Sequence, residues 1–454
     1  MTHPTQLHKD ALGAGQSIVM GIAGTAPAFS VTATTATLIA AVGVLSAASL
    51  FYCGLIMFGI TFAFMHLNRV ITNAGASYAW VGQVFHPTLG FLAGWALLVA
   101  TAVFMVSGTI PAATATLILV APHLATNPGM VTFVAAGWLL LVSAVIVKGV
   151  KPSSYSQIVM TTIEVGVLLA VIIATIVHFG HNPAHPFSWR WFSLAQFTPT
   201  LFATGALISL FFFWGWDVTM NLNEETRDAS RTPGIGAAAS MIIVLLLFTG
   251  FVVAVLLGLS DAEIQASSTN VLFALAEKLF PHPWSYMAVI AVMLSSVGTL
   301  QTSILQFSRT MYAKARDGAL QPRYAILHKS WRTPWVATSV IVGIGLALLF
   351  LSSYYPNINL IIKHSVNAIG FQVAFYYSLA GFACAWHFRH EARKAIGPFF
   401  MLLVWPVVSA TFLVFIACYS IPTFDLTTNL IGIGGIVIGI VPMVLNRRRL
   451  RQYR

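Results

Sequence analysis

Two carboxylic acids stand where so apolar a sequence has little reason to carry them. Asp217 lies in FFFWGWDVTMNLNEETRDASRTPG (Phe211 to Gly234), and Glu164 lies in TTIEVGVLLAVII. Near a bilayer midplane a carboxylate is costly unless water, backbone donors or a cation compensate it. Such depth disfavours the anion, so Glu164 is able to carry a proton at physiological pH. A structural, hydrogen-bonded carboxyl, or a partner for sodium or a substrate amine, are the other readings of the same residue. A third feature is GIAGTAPAFS, residues 21–30, where two glycines and a proline disfavour a continuous helix. Gly215, between Trp214 and Trp216, offers a second break beside Asp217. Unwound N–H groups at a half-helix end attract anions, and unwound carbonyls attract cations. The expected solute contacts are therefore Ile22, Ala23, Gly24, Thr25 and Ala26 in the first break, with Trp214, Gly215, Trp216 and Asp217 in the second. Close helix packing is the alternative use of such glycines. Ser295, Ser296 and Thr299 could offer hydroxyls to a coupling cation, or bond back to their own helix.

The elements that must position these residues are membrane helices. Of 454 residues, 58% are hydrophobic and 8% charged, and the mean hydropathy is +0.84, a composition foreign to soluble domains. Apolar runs near the roughly 20 residues of a bilayer crossing predict twelve spans. They fall at about 14–42, 46–68, 87–120, 129–148, 154–178, 198–226, 234–259, 284–315, 333–353, 358–386, 395–420 and 425–446. The third, eighth and tenth exceed a straight crossing, and Pro111 is a candidate kink in the third. The hydrophilic start, MTHPTQLHKD, leads into a first run too long for a cleavable signal, so that run is expected to remain as a span.

With the N-terminus inside, 20 of the 23 Lys and Arg residues fall on the inner side, and only Arg190, Lys278 and Lys363 on the outer. Both termini are expected to be cytoplasmic. The net charge of +11 then reads as an insertion signal, with RRRLRQYR beside anionic membrane lipid and no nucleic-acid partner. The three cysteines are scattered through apolar segments and suggest neither disulfides nor zinc. No N-x-S/T acceptor occurs, which fits a bacterial inner membrane.

Breaks in the first and sixth spans are five spans apart. That is the spacing expected of inverted repeats whose opening helices both unwind around a transported solute. The expected organisation is a cytoplasmic N-terminal tail (1–13), a first repeat of spans 1–5 (14–178) and a second of spans 6–10 (198–386). Spans 11–12 (395–446) and a basic cytoplasmic tail (447–454) follow.

Three segments carry a resemblance. FWGWDVTMNLNEETRDASRTP in the sixth span, NAGASYAWVGQVFHPTLGFLAGW from Asn73 to Trp95, and SSVGTLQTSILQFSRTMYAKARDGALQP from Ser295 to Pro322 are similar to segments of the amino acid, polyamine and organocation (APC) permease superfamily. The resemblance spans nearly the whole chain. It implies an all-α integral membrane fold of 12 transmembrane helices, a leucine-transporter-like five-plus-five inverted repeat with discontinuous helices 1 and 6, and two further C-terminal helices. It also implies alternating-access transport of amino acids or related amines. Gly24, Thr25 and Ala26 align with the family's Gly-Ser-Gly break, whose amides hold a substrate carboxylate, with Ala26 in place of the second glycine. Phe211 aligns with an aromatic that folds over the solute, although packing alone accounts equally well for one phenylalanine in a run of three. Trp214 and Trp216 either wall the pocket or pack. Several proton-coupled relatives carry Lys at the position of Glu164, a reversal of charge.

The leading expectation is a permease driven by a coupling proton or sodium. An exchanger of related solutes is the nearest alternative, and a channel or a membrane-embedded enzyme is less favoured. No nucleophile–base pair is apparent, and no cofactor is implied. His178, His181 and His185 are out of helical register for a metal site, and HFRHE (387–391) has the wrong order for a zinc-protease motif and reads as solvated loop. Lys363 and His364 are expected at the outer end of the tenth span, snorkelling or touching an outer gate. The charged run Glu224 to Arg231 is expected to pair with basic loops at the inner end of the sixth.

Overall fold

The computed structural model describes residues 6–267, 270–354 and 358–446. Among them the architecture is all-helical, and the one extended pairing is an isolated parallel bridge between Leu12 and Thr226. Eleven helical stretches are long and apolar enough to cross a membrane, but the first, Ala14–Val70, has 57 residues, more than two crossings of roughly 20 residues need. A tight turn at Gly43–Leu45 divides it. Twelve crossings result.

Span 1 consists of α1 (Ala14–Gly24) and α2 (Pro27–Val42). Spans 2 to 5 are Ser46–Val70, Pro87–Val120, Pro128–Val147 and Val150–Phe179. Span 6 is Pro199–Asn221, span 7 Thr232–Gly258 and span 8 Trp284–Arg316. Spans 9 to 12 are Trp335–Ser352, Ile358–His387, Ile396–Ser420 and Leu426–Leu445. Span 3 runs through Pro111 without interruption of the helix. Spans 11 and 12 each contain a wider π-helical turn, at Phe400–Val404 and Leu430–Gly434. The basic tail at 447–454 lies outside the described residues.

These boundaries lie within a few residues of the hydropathy expectation. The largest differences are at span 6, which ends five residues early, and span 5, which begins four residues early. Among the described residues, four short α-helices connect spans without crossing: Ser77–Val84, Asp261–Ser267, Val271–Leu279 and Arg389–Ala392, the last a single turn within the HFRHE segment expected to be loop. The first occupies a segment expected to lead directly into span 3. It ends at Val84, and His86 caps the start of span 3, its side chain accepting from the Thr88 amide, with Pro87 at the first helical position.

Spans 8 and 10 are the most enclosed crossings and span 12 the least. Span 8 carries SSVGTLQTSILQFSRTMYAK and is nevertheless buried from Ser295 to Ala315. A polar helix in that position is stable only if its side chains find partners in the surrounding spans. Those partners define the site.

Candidate functional site

Span 1 is interrupted because Pro27 has no amide proton and its ring crowds the turn before it. Ala26 turns into the left-handed region (φ 48°, ψ 62°), and Pro27 begins α2 at the first helical position. Span 6 is interrupted at Trp214, which is extended (φ −100°, ψ 148°), and at Gly215, whose φ of 102° suits glycine. Beyond the break only Val218–Asn221 resumes a helical turn before Leu222 and the tight turn Asn223–Glu225.

The two breaks touch. A Cβ added to Gly24 would run into the carbonyl group of Gly215, and one added to Gly215 would run into that of Gly24. Only backbone without side chains packs this closely. Ile22, Ala23, Gly24, Thr25 and Ala26 are all buried in this junction.

Spans 5 and 8 hold the ends that the first break leaves. Glu164 Oε1 accepts the Ala28 amide at 2.9 Å, and Ser295 Oγ accepts the Phe29 amide at 3.1 Å. At the other end, Thr299 Oγ1 donates to Ala23 O at 2.6 Å. The N-terminus of α2 and the C-terminus of α1 are thus capped by side chains of complementary sense. Ser296 is buried, and its Oγ meets no hydrogen-bond partner among the described residues.

Asp217 is enclosed by donors. Gln306 Nε2 and Tyr376 OH donate to Oδ2, each at 2.9 Å, and Tyr377 OH donates to Oδ1 at 3.0 Å. Trp214 Nε1 donates to Tyr376 OH at 3.0 Å. Trp214, Tyr376 and Asp217 therefore form one hydrogen-bonded chain. Trp216 Nε1 bonds Phe213 O at 3.0 Å, and its ring packs on Phe64 and Tyr377. It belongs to the core.

A cavity of about 570 Å³ lies between α2 and spans 6, 10 and 11, bordered by Phe211 and Trp214 at one extreme and by Lys363 and Asp425 at the other. Phe211 also meets Phe29 edge-on at 6.4 Å. Of the sequence-expected solute contacts, Phe211 and Trp214 line this space. Asp217 connects to it through Tyr376 and Trp214, and none of Ile22 to Ala26 is among the residues bordering it. Lys363 is on the rim, and His364 bonds Asp425 at 3.1 Å. The Asp425 carboxyl is held below its ordinary range, chiefly by the Thr428 amide it caps.

The opposite end of the bundle, where the N-terminal segment lies, is tied together by ion pairs and hydrogen bonds. Arg309 reaches Glu225 through two bonds of 2.9 and 3.1 Å, both side chains being fully buried. Arg316 pairs with Glu224 at 2.7 Å and with Asp317 at 3.1 Å. Asn223 Nδ2 donates to Asn68 Oδ1 at 2.7 Å, and Asn221 Nδ2 to Ala74 O at 2.8 Å. The N-terminal segment joins this layer through the amides of Ala11 and Leu12, which bond Glu225 O at 2.8 and 3.0 Å.

Sequence reasoning passed over Tyr376, Tyr377 and Gln306. A buried carboxyl needs several donors, and uncharged polar residues midway along spans 8 and 10 were the available source. Tyrosine also favours membrane interfaces, so sequence position alone does not mark this pair as interior.

Interrupted first and sixth spans in contact, beside a cavity between α2 and spans 6, 10 and 11, define a membrane permease for small solutes. The chain belongs to the amino acid permease family, whose pattern matches residues 15–441, within the APC superfamily. It is 25% identical over 365 residues to the low-affinity putrescine importer PlaP of Escherichia coli, covering 76% of this chain and 74% of the importer. It is 24% identical over 304 residues to the serine/threonine exchanger SteT of Bacillus subtilis, covering 65% of each. It is 25% identical to the mouse Asc-type amino acid transporter 1, covering 65% of this chain and 56% of that transporter.

Proposed function

We propose that this permease is a secondary active carrier of an amino acid or related amine, working by alternating access with Glu164 as the site of a coupling proton. The observation that carries the reading is the junction at Gly24 and Gly215, with the adjoining half-helix α2 held by a span 5 carboxyl. Protonation of Glu164 would weaken its hold on the Ala28 amide and free α2 to shift against span 6. Closure of the cavity over Trp214 and opening of the Arg309–Glu225 layer would then expose the solute at the opposite face. Ser295 and Ser296 are the residues nearest to this function in span 8, and sodium is the alternative coupling ion.

Spans 1–5 and 6–10 act as the two moving repeats, residues 14–178 and 198–386. The face that holds the N-terminus is cytoplasmic, in a bacterial inner membrane, by the distribution of Lys and Arg, and the basic tail contacts anionic lipid. An exchange mode is the second reading, favoured by the likeness to a serine/threonine exchanger.

Reconstitution in proteoliposomes tests both. Uptake that saturates, shows counterflow and accelerates with an inward proton gradient is the expected result. Glu164→Gln should retain counterflow and lose the gradient response. Unchanged gradient response in that variant removes Glu164 as the coupling site, and uptake only against a preloaded solute establishes exchange.

A further inference from the structure

The segment HFGHNPAH (178–185) belongs to no metal-binding cluster among the described residues, but its last histidine stands between two acceptors. Beyond span 5 the chain folds back onto the end of span 7, where the Ala184 amide bonds Leu257 O at 2.8 Å and the His185 amide bonds Leu256 O at 3.2 Å. The His185 ring continues the contact, with Nδ1 2.8 Å from Leu256 O and Nε2 3.1 Å from Asp261 Oδ1, at the start of helix Asp261–Ser267. A carbonyl only accepts, and so does an ionised carboxylate. A neutral imidazole carries one proton, so whichever nitrogen holds it, the other turns a lone pair toward an oxygen. Only the imidazolium donates to both. The C-terminus of span 7 also favours a cation at this place, and span 7 has no basic residue in its own last turn.

A second clasp of the same form lies beside the first. Lys278 Nζ donates to Gly258 O at 3.2 Å and pairs with Glu263 at 2.6 Å. Both clasps run from a carbonyl at the end of span 7, through a cation, to a carboxylate of helix Asp261–Ser267. They differ in the cation. An ammonium keeps its charge at neutral pH, whereas histidine is the side chain that changes charge between about pH 5 and 8. Asp261 is 75% exposed, so bulk protons reach the pair. The other charged groups of these connectors do not replace it. Glu277 faces His282 at 3.7 Å, and His178, His181 and Arg190 form no hydrogen bond or ion pair with either partner of the clasp. At the other end of the bundle the carboxylates Glu225 and Glu224 meet arginines, which do not titrate.

We infer that His185 is a proton-sensitive latch: protonated, it fastens the connector between spans 5 and 6 to the end of span 7, and deprotonated, it lets that connector loosen. The connector is tied to span 2 where Tyr52 OH donates to Phe192 O at 2.8 Å, and it leads into span 6, which lines the cavity with Phe211 and Trp214. Acid at this face therefore restrains span 6, and a rise in pH releases it. That consequence for transport rests on the carrier reading above, but not on Glu164 as the coupling site.

Hydrogen exchange on the full-length protein in detergent reads the latch through the amides of Ala184 and His185. After correction for the intrinsic effect of pH on exchange, their protection should be about fivefold greater at about pH 5.5 than at about pH 8. His185→Gln removes the titrating group. Asp261→Asn supplies an amide that accepts from the cation or donates to the neutral ring. Each variant should flatten the dependence, and Glu164→Gln should keep it. Equal protection at the two pH values in the unaltered protein, or an undiminished dependence in either clasp variant, overturns the latch; if the glutamine variant does not fold, the asparagine variant decides. Counterflow in proteoliposomes, with the same pH on both sides, reads the consequence. The rate should rise from about pH 5.5 to about pH 8 by several-fold more in the unaltered protein than in His185→Gln or Asp261→Asn, and identical profiles overturn the control of rate. Absence of all counterflow overturns the carrier reading, while hydrogen exchange still decides the latch.

Discussion

Glu164 and Ala28 are 136 residues apart in the chain and 2.9 Å apart in space, joined as carboxyl oxygen and amide proton. The contact ties span 5 to the half-helix beyond the first break, so any movement of α2 must first loosen this bond. Its worth follows from what its loss would leave. A buried donor deprived of its partner costs about 1–3 kcal/mol. Glu164→Ala should therefore lower stability by about that amount in detergent thermal unfolding, and Glu164→Gln by less than half of it. Equal losses would mean that the carboxyl is not holding the amide.

The glycine contact gives a sharper expectation. Gly24→Ala and Gly215→Ala each place a methyl against the other's carbonyl group, and Gly215 has in addition a φ of 102°. Each should cost about 2–3 kcal/mol or more and abolish counterflow. Ala26→Gly runs the other way. It relieves the left-handed strain of an alanine at φ 48°, about 1 kcal/mol, against about 0.4–1 kcal/mol of added unfolded-state entropy. Near-neutral stability is expected, and a loss above about 2 kcal/mol would show that the Ala26 methyl packs productively.

Asp217 accepts from Gln306, Tyr376 and Tyr377, so an isosteric amide is not a mild change. Asp217→Asn turns one acceptor oxygen into a donor facing donors, and should cost about 1–3 kcal/mol while disordering Trp214 through Tyr376. Tyr377→Phe removes one bond and leaves the Trp214–Tyr376 link, so its effect on thermal stability should be the smaller. Reversed ranks would place the important contact at Tyr377.

At the end that holds the N-terminal segment, the Arg309–Glu225 pair is fully buried. Removing one partner strands the other charge, at a cost of about 3–5 kcal/mol. Glu225→Gln should also loosen the N-terminal segment, whose Leu12 amide bonds Glu225 O. A cysteine placed at Leu12 should then react with a hydrophilic thiol reagent several-fold faster than in the otherwise unchanged protein. An unchanged rate would separate the ion pair from the hold on that segment.

One ion pair outside the spans sets a pH expectation. The Glu263 carboxyl is lowered from 4.5 to about 2, first by the Lys278 ammonium and then by the Ser260 amide. Its folded value lies below the unfolded one, so its contribution is fully present above the unfolded value and is lost as pH falls from about 4.5 toward about 2. The pair is well exposed, and solvent screening limits it to about 0.2–1 kcal/mol. Glu263→Gln should cost that little at neutral pH in low salt and almost nothing in molar salt, measured by thermal unfolding.

The spans themselves were legible because a bilayer imposes a length and an apolar composition that no tertiary contact needs to supply. The breaks were legible for a related reason. Pro27 without an amide proton and Gly215 without a Cβ limit their own backbone locally, and the spacing of five spans put the two interruptions in corresponding positions. The charged run from Glu224 was legible as a partner of basic residues, but not which arginine meets which glutamate.

What the linear chain determined was a twelve-span bundle with two interrupted helices and two intramembrane carboxyls. Tertiary structure decided what those groups touch: Glu164 on the Ala28 amide of α2, Asp217 beneath two tyrosines and a glutamine, Trp216 in the core and Trp214 on the cavity. The reason is physical. Apolar length and backbone freedom are properties of neighbouring residues, whereas satisfaction of a buried polar group depends on partners more than 80 residues distant, brought within 3 Å only by the packing of the whole bundle.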